Sequence, residues 1–206
     1  MQWIKFLTQH KIPYYIYKLR KEDYIILNKT DHNKIIIILS GIVFITKVFP
    51  NRELLPIAIL DKNNILIKSK KKTTIYYKII ALDTAYILTL NEYNLNKNNI
   101  SVLIGINLLN SYKKTIEQYE TMNNIISQKD TKNRILQLIF IICLKFGKVK
   151  SQKIFIPFTL SNKNIAILTG TSENTVNKVI RKIYKQSIIK ELNNKVISIN
   201  NIFNLK

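Results

Sequence analysis

Over the first hundred residues the apolar positions come in short runs of Ile, Val, Tyr and Phe, each broken by turn-forming residues. The runs are Tyr14–Leu19, Tyr24–Leu27, Ile35–Leu39, Ile42–Phe49, Leu54–Leu60, Ile75–Leu82 and Tyr86–Leu90. Between them lie Asn28 to Asn33, Ser40-Gly41, Pro50-Asn51 and Asp61 to Asn64. β-Branched and aromatic residues suit a pleated, half-buried surface. Many short strands at this spacing predict a sandwich or barrel rather than βαβ units. Gly41, between two apolar runs, predicts a tight corner with no room for a Cβ.

From about Ser101 the period changes. Val102, Leu109, Tyr112, Ile116, Tyr119, Asn123 and Ile126 are spaced as a heptad seam on one long helix. Asn123 takes the same heptad position as Leu109, where a buried Asn favours one register in a parallel two-helix coil. The seam predicts a homodimer. The alternative is a helix that packs its apolar stripe on its own β domain, and tyrosines at both d positions are less suited to a coil than leucine.

A third block runs from about Asp130. Asn133–Phe146 reads as an amphipathic helix stopped by Gly147, and Lys153–Phe158 as a short strand. Ser161 is placed to cap a helix that buries Ile165, Ala166 and Leu168. Gly170 permits a turn with positive φ. Ser172 is placed to cap a second helix that carries Val176, Val179, Ile180 and Ile183. Two short helices joined by a turn containing glycine predict a helix-turn-helix. Ile188–Leu192, Asn193-Asn194 and Lys195–Ile199 then read as a hairpin with a tight primed turn, the wing of a winged helix.

Composition narrows the function. The 206 residues carry 33 Lys+Arg against 12 Asp+Glu, a formal charge of +21. Residues 131–206 hold 14 basic and 2 acidic residues, a denser excess than the rest of the chain, as a surface facing phosphates requires. Part of that charge reflects base composition, because 40 Ile, 29 Lys and 24 Asn are what AT-rich coding produces. Such coding points to an organelle or endosymbiont genome. Hydrophobic residues make up 47%, enough for a core.

Cys143 alone excludes a disulfide framework or a Cys-rich metal site, and His10 and His32 stand apart from any ligand cluster. The chain carries neither phosphate-binding glycine motifs nor nucleophile motifs, so no enzyme and no cofactor are expected. Cys143, on an apolar helix face, reads as a packed small hydrophobe. The N-terminus has no signal-type apolar core, and no apolar run reaches the roughly 20 residues of a membrane span. A soluble protein, made where it works, is expected.

The stretches NRILQLIFIICLKFG, FTLSNKNIAILTGTSENTV, KELNNKVISINN and NKIIIILSGIVFITKV resemble segments of the CRP/FNR superfamily of transcription regulators. The pattern L-S-x-x-x-I-A-x-x-x-G-[ST]-[ST]-x-x-T-V is specific to it. Within the superfamily the likeness is greatest to the nitrogen-control branch of cyanobacteria, which has a red-algal plastid counterpart. The resemblance implies an α+β fold. An antiparallel β-roll like a cyclic-nucleotide-binding jelly roll would occupy residues 1–100. A dimerisation helix would occupy 101–129, and a winged helix-turn-helix 130–206, with a hinge near Asp130.

It also implies roles. Glu173, Asn174 and Lys178 match base-reading positions, and these residue types can recognise cytosine, adenine and guanine edges respectively. Ser161, Asn162, Lys163, Ser172 and Thr175 match positions placed for phosphate. The base-reading set departs from the Arg-containing set of the nitrogen-control branch, which implies a different target sequence. The implied activity is activation of nitrogen-assimilation genes in a plastid, by binding a near-palindromic DNA site and touching RNA polymerase. An AT-rich bacterium is the alternative source.

Sensing is where the likeness thins. The stretch NNILIKSKKKTTIYYKIIAL has no Gly, Glu or Arg, the residues with which cyclic-nucleotide members grip a ribose and phosphate. The Arg that 2-oxoglutarate sensors place near Ile75 is absent, and Thr115 stands near where they have another. Glu120 matches a Glu of that branch, and Lys68, Lys70, Lys71 and Lys72 form a basic run that reads chiefly as a solvated loop. Weakened or lost control by either effector is the expectation. Two other readings stay open: a sequence-tolerant basic nucleic-acid binder, and a ligand-binding β-roll with degenerate regulation.

Overall fold

A computed structural model describes residues 2–27, 33–67, 74–96, 102–150, 153–185, 189–192 and 196–200. His32, Lys68, Lys70, Lys71, Lys72, Ser101, Asn193, Asn194 and Lys195 lie outside the described residues. The described chain runs α1 (Gln2–Gln9), β1 (Tyr14–Leu19), β2 (Tyr24–Leu27), β3 (Lys34–Ser40), β4 (Val43–Val48), β5 (Leu54–Leu60), β6 (Ile65–Ile67), β7 (Tyr76–Ala81), β8 (Ala85–Asn91), α2 (Glu92–Asn96) and α3 (Val102–Ile126). It continues through α4 (Thr131–Phe146), β9 (Lys148–Lys150), β10 (Lys153–Phe155), α5 (Asn162–Thr169), α6 (Glu173–Lys185), β11 (Ile189–Leu192) and β12 (Val196–Asn200). Two compact units result, residues 1–122 and 123–206.

The first unit holds two four-stranded antiparallel sheets, ordered β1-β8-β3-β6 and β2-β7-β4-β5. Alternation along the strands sorts the side chains. Ile36, Ile38, Val43, Ile45, Leu60, Ile79 and Ile87 meet in one buried cluster drawn from both sheets. Ile35, Ile37, Leu39, Leu88 and Leu90 belong to a second cluster with Phe6 and Leu7 of α1, Leu95 of α2 and, at its edge, Leu108 and Tyr112 of α3. Strand β3 is therefore buried on both faces, which explains its unbroken apolar run.

Gly41 adopts φ +85 between β3 and β4, and a Cβ there would collide with the Thr84 carbonyl and with Ala85. Both requirements select glycine.

Two readings of the sequence need correction. The N-terminal hundred residues are not all strand and turn, because α1 and α2 are short helices fixed by burial of Phe6, Leu7 and Leu95. β6 is a strand outside the seven apolar runs of the sequence, and it pairs with β3. Gly147 ends α4 where the sequence places the stop, at φ −64 and ψ 144. Glycine fits there because a Cβ would strike the Cys143 carbonyl and the Ile154 side chain.

The second unit carries the antiparallel sheet β11-β12-β10-β9 with α4, α5 and α6. Helix α4 starts two residues earlier than the apolar pattern alone predicts. The carboxylate of Asp130 accepts from the N–H of Asn133 at 2.8 Å and caps it. Ile135, Leu138, Ile139, Ile142 and Cys143 form its buried stripe, and burial pushes the Cys143 thiol up to about 12.

Candidate nucleic-acid interface

The helix-turn-helix forms where the sequence places it. Ser161 Oγ accepts from the N–H of Asn164 at 3.2 Å and starts α5, which buries Ile165, Ala166 and Leu168. Gly170 takes the left-handed conformation at φ 60 and ψ 42, and its N–H turns back to the carbonyls of Ala166 and Ile167. The N–H of Thr171 also donates to Ala166, at 3.0 Å. Ser172 Oγ then accepts from the N–H of Thr175 at 3.1 Å and starts α6. Val176, Ile180 and Ile183 turn inward, with Val179 half-buried beside them.

The opposite face of α6 is polar. Glu173, Asn174 and Lys178 are all exposed. Arg181, Lys182 and Lys185, which the sequence reading did not single out, are exposed too. Asn174, Lys178, Arg181 and Lys185 follow one another at helical spacing, so periodicity carried the signal for the last two. Lys182 and Lys185 also lie in the last turn, where positive charge complements the helix dipole. Lys163 is exposed in the first turn of α5.

Other candidate groups are engaged within the fold. Asn162 Nδ2 donates one hydrogen bond to Asn177 Oδ1 and ties α5 to α6. The hydroxyls of Ser172 and Thr175 share a hydrogen bond of 2.8 Å, so they act as one capping pair.

Helix α3, whose residues up to Met122 belong to the first unit, shows two faces. Ser111, Thr115, Gln118 and Met122 are buried, whereas Leu109 is 69% and Ile116 54% exposed. Asn123 is also exposed, Tyr119 is 36% exposed with the rest of its surface covered, and Tyr112 and Ile126 are half-buried. One stripe packs on the roll, as the alternative reading of this helix expects, and most of the heptad positions lie away from it. Burial and the charge of Glu92 raise Tyr112 to about 12, and burial and Tyr77 raise Tyr119 likewise.

The position considered for sensing is filled by the chain itself. Thr115 Oγ1 donates to the Ser111 carbonyl at 3.0 Å. It accepts from the N–H of Ile65 at 3.0 Å and from Asn64 Nδ2 at 3.3 Å. Asn64 Oδ1 in turn accepts from the N–H of Asp61 at 2.8 Å. Lys114 pairs with Asp61 at 2.6 Å and donates to the Lys62 carbonyl at 2.7 Å. Glu120 is exposed, and it is not part of this cluster. His10 is exposed after α1, its ring 4.4 Å from that of Phe6. Among the described residues no group of three or more His, Cys, Asp or Glu could hold a metal ion, and no helix is long and apolar enough to cross a membrane.

No family model matches the chain. It is 28% identical over 202 residues, covering 95% of this chain and 82% of the relative, to a protein of Porphyra purpurea named as the HTH-type transcriptional regulator ycf28. A global nitrogen regulator of Synechococcus elongatus is 20% identical over 189 residues, 89% of this chain and 85% of its own. That of a Nostoc species is 23% identical over 165 residues, 76% and 72%.

Among solved structures, a CRP-family transcriptional regulator from Thermus thermophilus superposes with a TM-score of 0.73 at 13% identity, covering 90% of this chain and 92% of that one. A CooA mutant from Carboxydothermus hydrogenoformans gives 0.72 at 18% identity, covering 92% and 84%. The three relatives and the Thermus neighbour are all named as regulators. The chain is a homologue of helix-turn-helix transcriptional regulators, global nitrogen regulators among them, and it has the fold of the CRP/FNR regulators.

Proposed function

We propose that the chain binds a near-palindromic DNA site as a homodimer and activates nitrogen-assimilation genes in a plastid, by docking beside a promoter and touching RNA polymerase. One observation carries the DNA-binding reading: α5, the left-handed Gly170 and α6 form a capped helix-turn-helix whose outer face is exposed and basic. In this reading Glu173, Asn174 and Lys178 meet base edges in the major groove. Lys163 and the capped starts at Ser161, Asn162, Ser172 and Thr175 meet phosphates.

The dimer rests on the exposed heptad positions Leu109, Ile116, Tyr119 and Asn123, with Tyr112 and Ile126 beside them. Two parallel copies of α3 would hold two recognition helices about 34 Å apart, one turn of duplex. Residues 1–100 would then serve as a sensor-like roll, 101–129 as the dimer helix and 130–206 as the DNA-binding part.

Control by 2-oxoglutarate or a cyclic nucleotide is weakened or lost in this reading. Its support is the self-satisfied cluster of Asn64, Ile65 and Thr115, where the polar groups have spent their hydrogen bonds on one another. The plastid rests on the Porphyra relative and on the Ile-, Lys- and Asn-rich composition.

Selection of bound duplexes from a random pool, with sedimentation of the free protein, tests the reading. The expected outcome is an enriched two-fold-symmetric site, preferred about a thousandfold over random duplex at physiological salt, and the mass of two chains. A monomer that enriches no sequence would refute it. Calorimetric titration with 2-oxoglutarate and with cyclic AMP should show no micromolar binding.

A further inference from the structure

Arg134 is the fourth residue of α4, and its guanidinium spans two chain segments that the sequence separates. Nε and Nη2 both donate to the carbonyl of Gln128, at 3.2 and 2.9 Å. Nη1 donates to the carbonyl of Thr169 at 2.8 Å. Gln128 lies two residues beyond the end of α3, and Thr169 is the last residue of α5, directly before the left-handed Gly170. The last carbonyls of a helix have no intrahelical partner. The N–H groups of Gly170 and Thr171 take those of Ala166 and Ile167, and Arg134 takes that of Thr169.

A charged donor at a helix C-terminus is favourable, and a rigid planar fork can hold two acceptors at a fixed angle. A lysine ammonium, a compact point charge on a flexible stem, cannot reproduce that geometry.

We propose that Arg134 is a positioning residue for DNA reading. It pins the turn of the helix-turn-helix to the connection leaving α3, and so fixes the direction in which α6 presents Asn174, Lys178 and Arg181. This rests on the DNA-binding reading above. Base contacts demand placement within a fraction of an ångström, whereas phosphate contacts tolerate displacement. Loss of the pin therefore lowers selectivity more than overall affinity.

The test uses full-length Arg134→Lys and Arg134→Ala. The probes are the duplex selected by the wild-type chain and a scrambled duplex of equal length. The lysine variant keeps the charge and leaves the buried stripe of α4 intact, so it should stay folded and melt only a few degrees below the wild type. Its preference for the selected duplex should fall about tenfold, the discrimination carried by roughly one base contact, with affinity for the scrambled duplex unchanged. Tolerance to half-site spacings altered by one base pair should widen.

The alanine variant should lose at least as much preference. Wild-type selectivity in Arg134→Lys overturns the proposal. So does an equal fall on both duplexes at an unchanged ratio, which marks a loss of charge or fold rather than of aim. A wild-type chain with no preference between the duplexes defeats the DNA-binding reading itself, and this role with it.

Discussion

The junction at Thr115 and the outer face of α6 are both rich in polar side chains, yet they treat them in opposite ways. At Thr115 every contact is turned inward: the hydroxyl, the Asn64 amide and the Ile65 N–H satisfy one another with Thr115 only 3% exposed. On α6 the capping groups are spent at the helix start, and Asn174, Lys178, Arg181 and Lys185 face solvent. A buried polar group must find a partner in the fold, whereas an exposed one can find it in another molecule. The first arrangement makes structure, and the second leaves groups open to a partner.

Breaking the roll should give the largest effect. Gly41→Val forces a β-branched residue to φ +85 against the backbone of Thr84 and Ala85. A loss on the order of 3 kcal/mol or more is expected in urea unfolding. Thr115→Val keeps the volume but leaves the Ile65 N–H and the Asn64 amide without their acceptor, at a cost of about 1–3 kcal/mol in the same experiment. A neutral result would show that the inward-turned cluster is dispensable.

The α6 face is sharpened by a matched pair. Lys178→Ala should relax base preference at one position and cost about 1–3 kcal/mol of specific binding. Lys163→Ala should weaken all duplexes alike and lower the salt slope by about one. Identical behaviour of the two would abolish the division between base reading and phosphate anchoring.

Smaller again, Ser161→Ala removes the α5 cap and should cost about 1 kcal/mol of stability, read by thermal melting. Last comes alkaline pH. Tyr112 and Tyr119 have folded-state values raised from 10.0 to about 12. Their neutral forms therefore contribute stability that is complete below pH 10 and lost as pH rises through 12. Unfolding midpoints followed across that window should fall, with tyrosinate absorbance rising alongside.

Much of this was legible in the chain. The bounds of β1, β2 and β5 fall where the apolar runs begin and end, because turn residues punctuate both sides. The helix-turn-helix was legible for the same reason: Ser161, Gly170 and Ser172 each carry a local, short-range instruction. The roles that escaped are long-range. Nothing near Arg134 in sequence announces that it will meet Thr169, thirty-five residues on. Asn162, read as a phosphate contact, meets Asn177 fifteen residues on only because the two helices pack. β6 spans only three residues, too few to register a period, and it is fixed by pairing with β3.

The sequence by itself determined the two kinds of periodicity, the caps, the left-handed turn at Gly170 and the basic excess of the C-terminal block. Each of these depends on a residue and its neighbours within a few positions. Tertiary structure alone decided which polar groups would be consumed and which left for a partner. It also decided that Gly147 is demanded by the approach of Ile154 rather than by its own φ. Burial and hydrogen bonding are properties of surroundings, and surroundings exist only once distant segments have met.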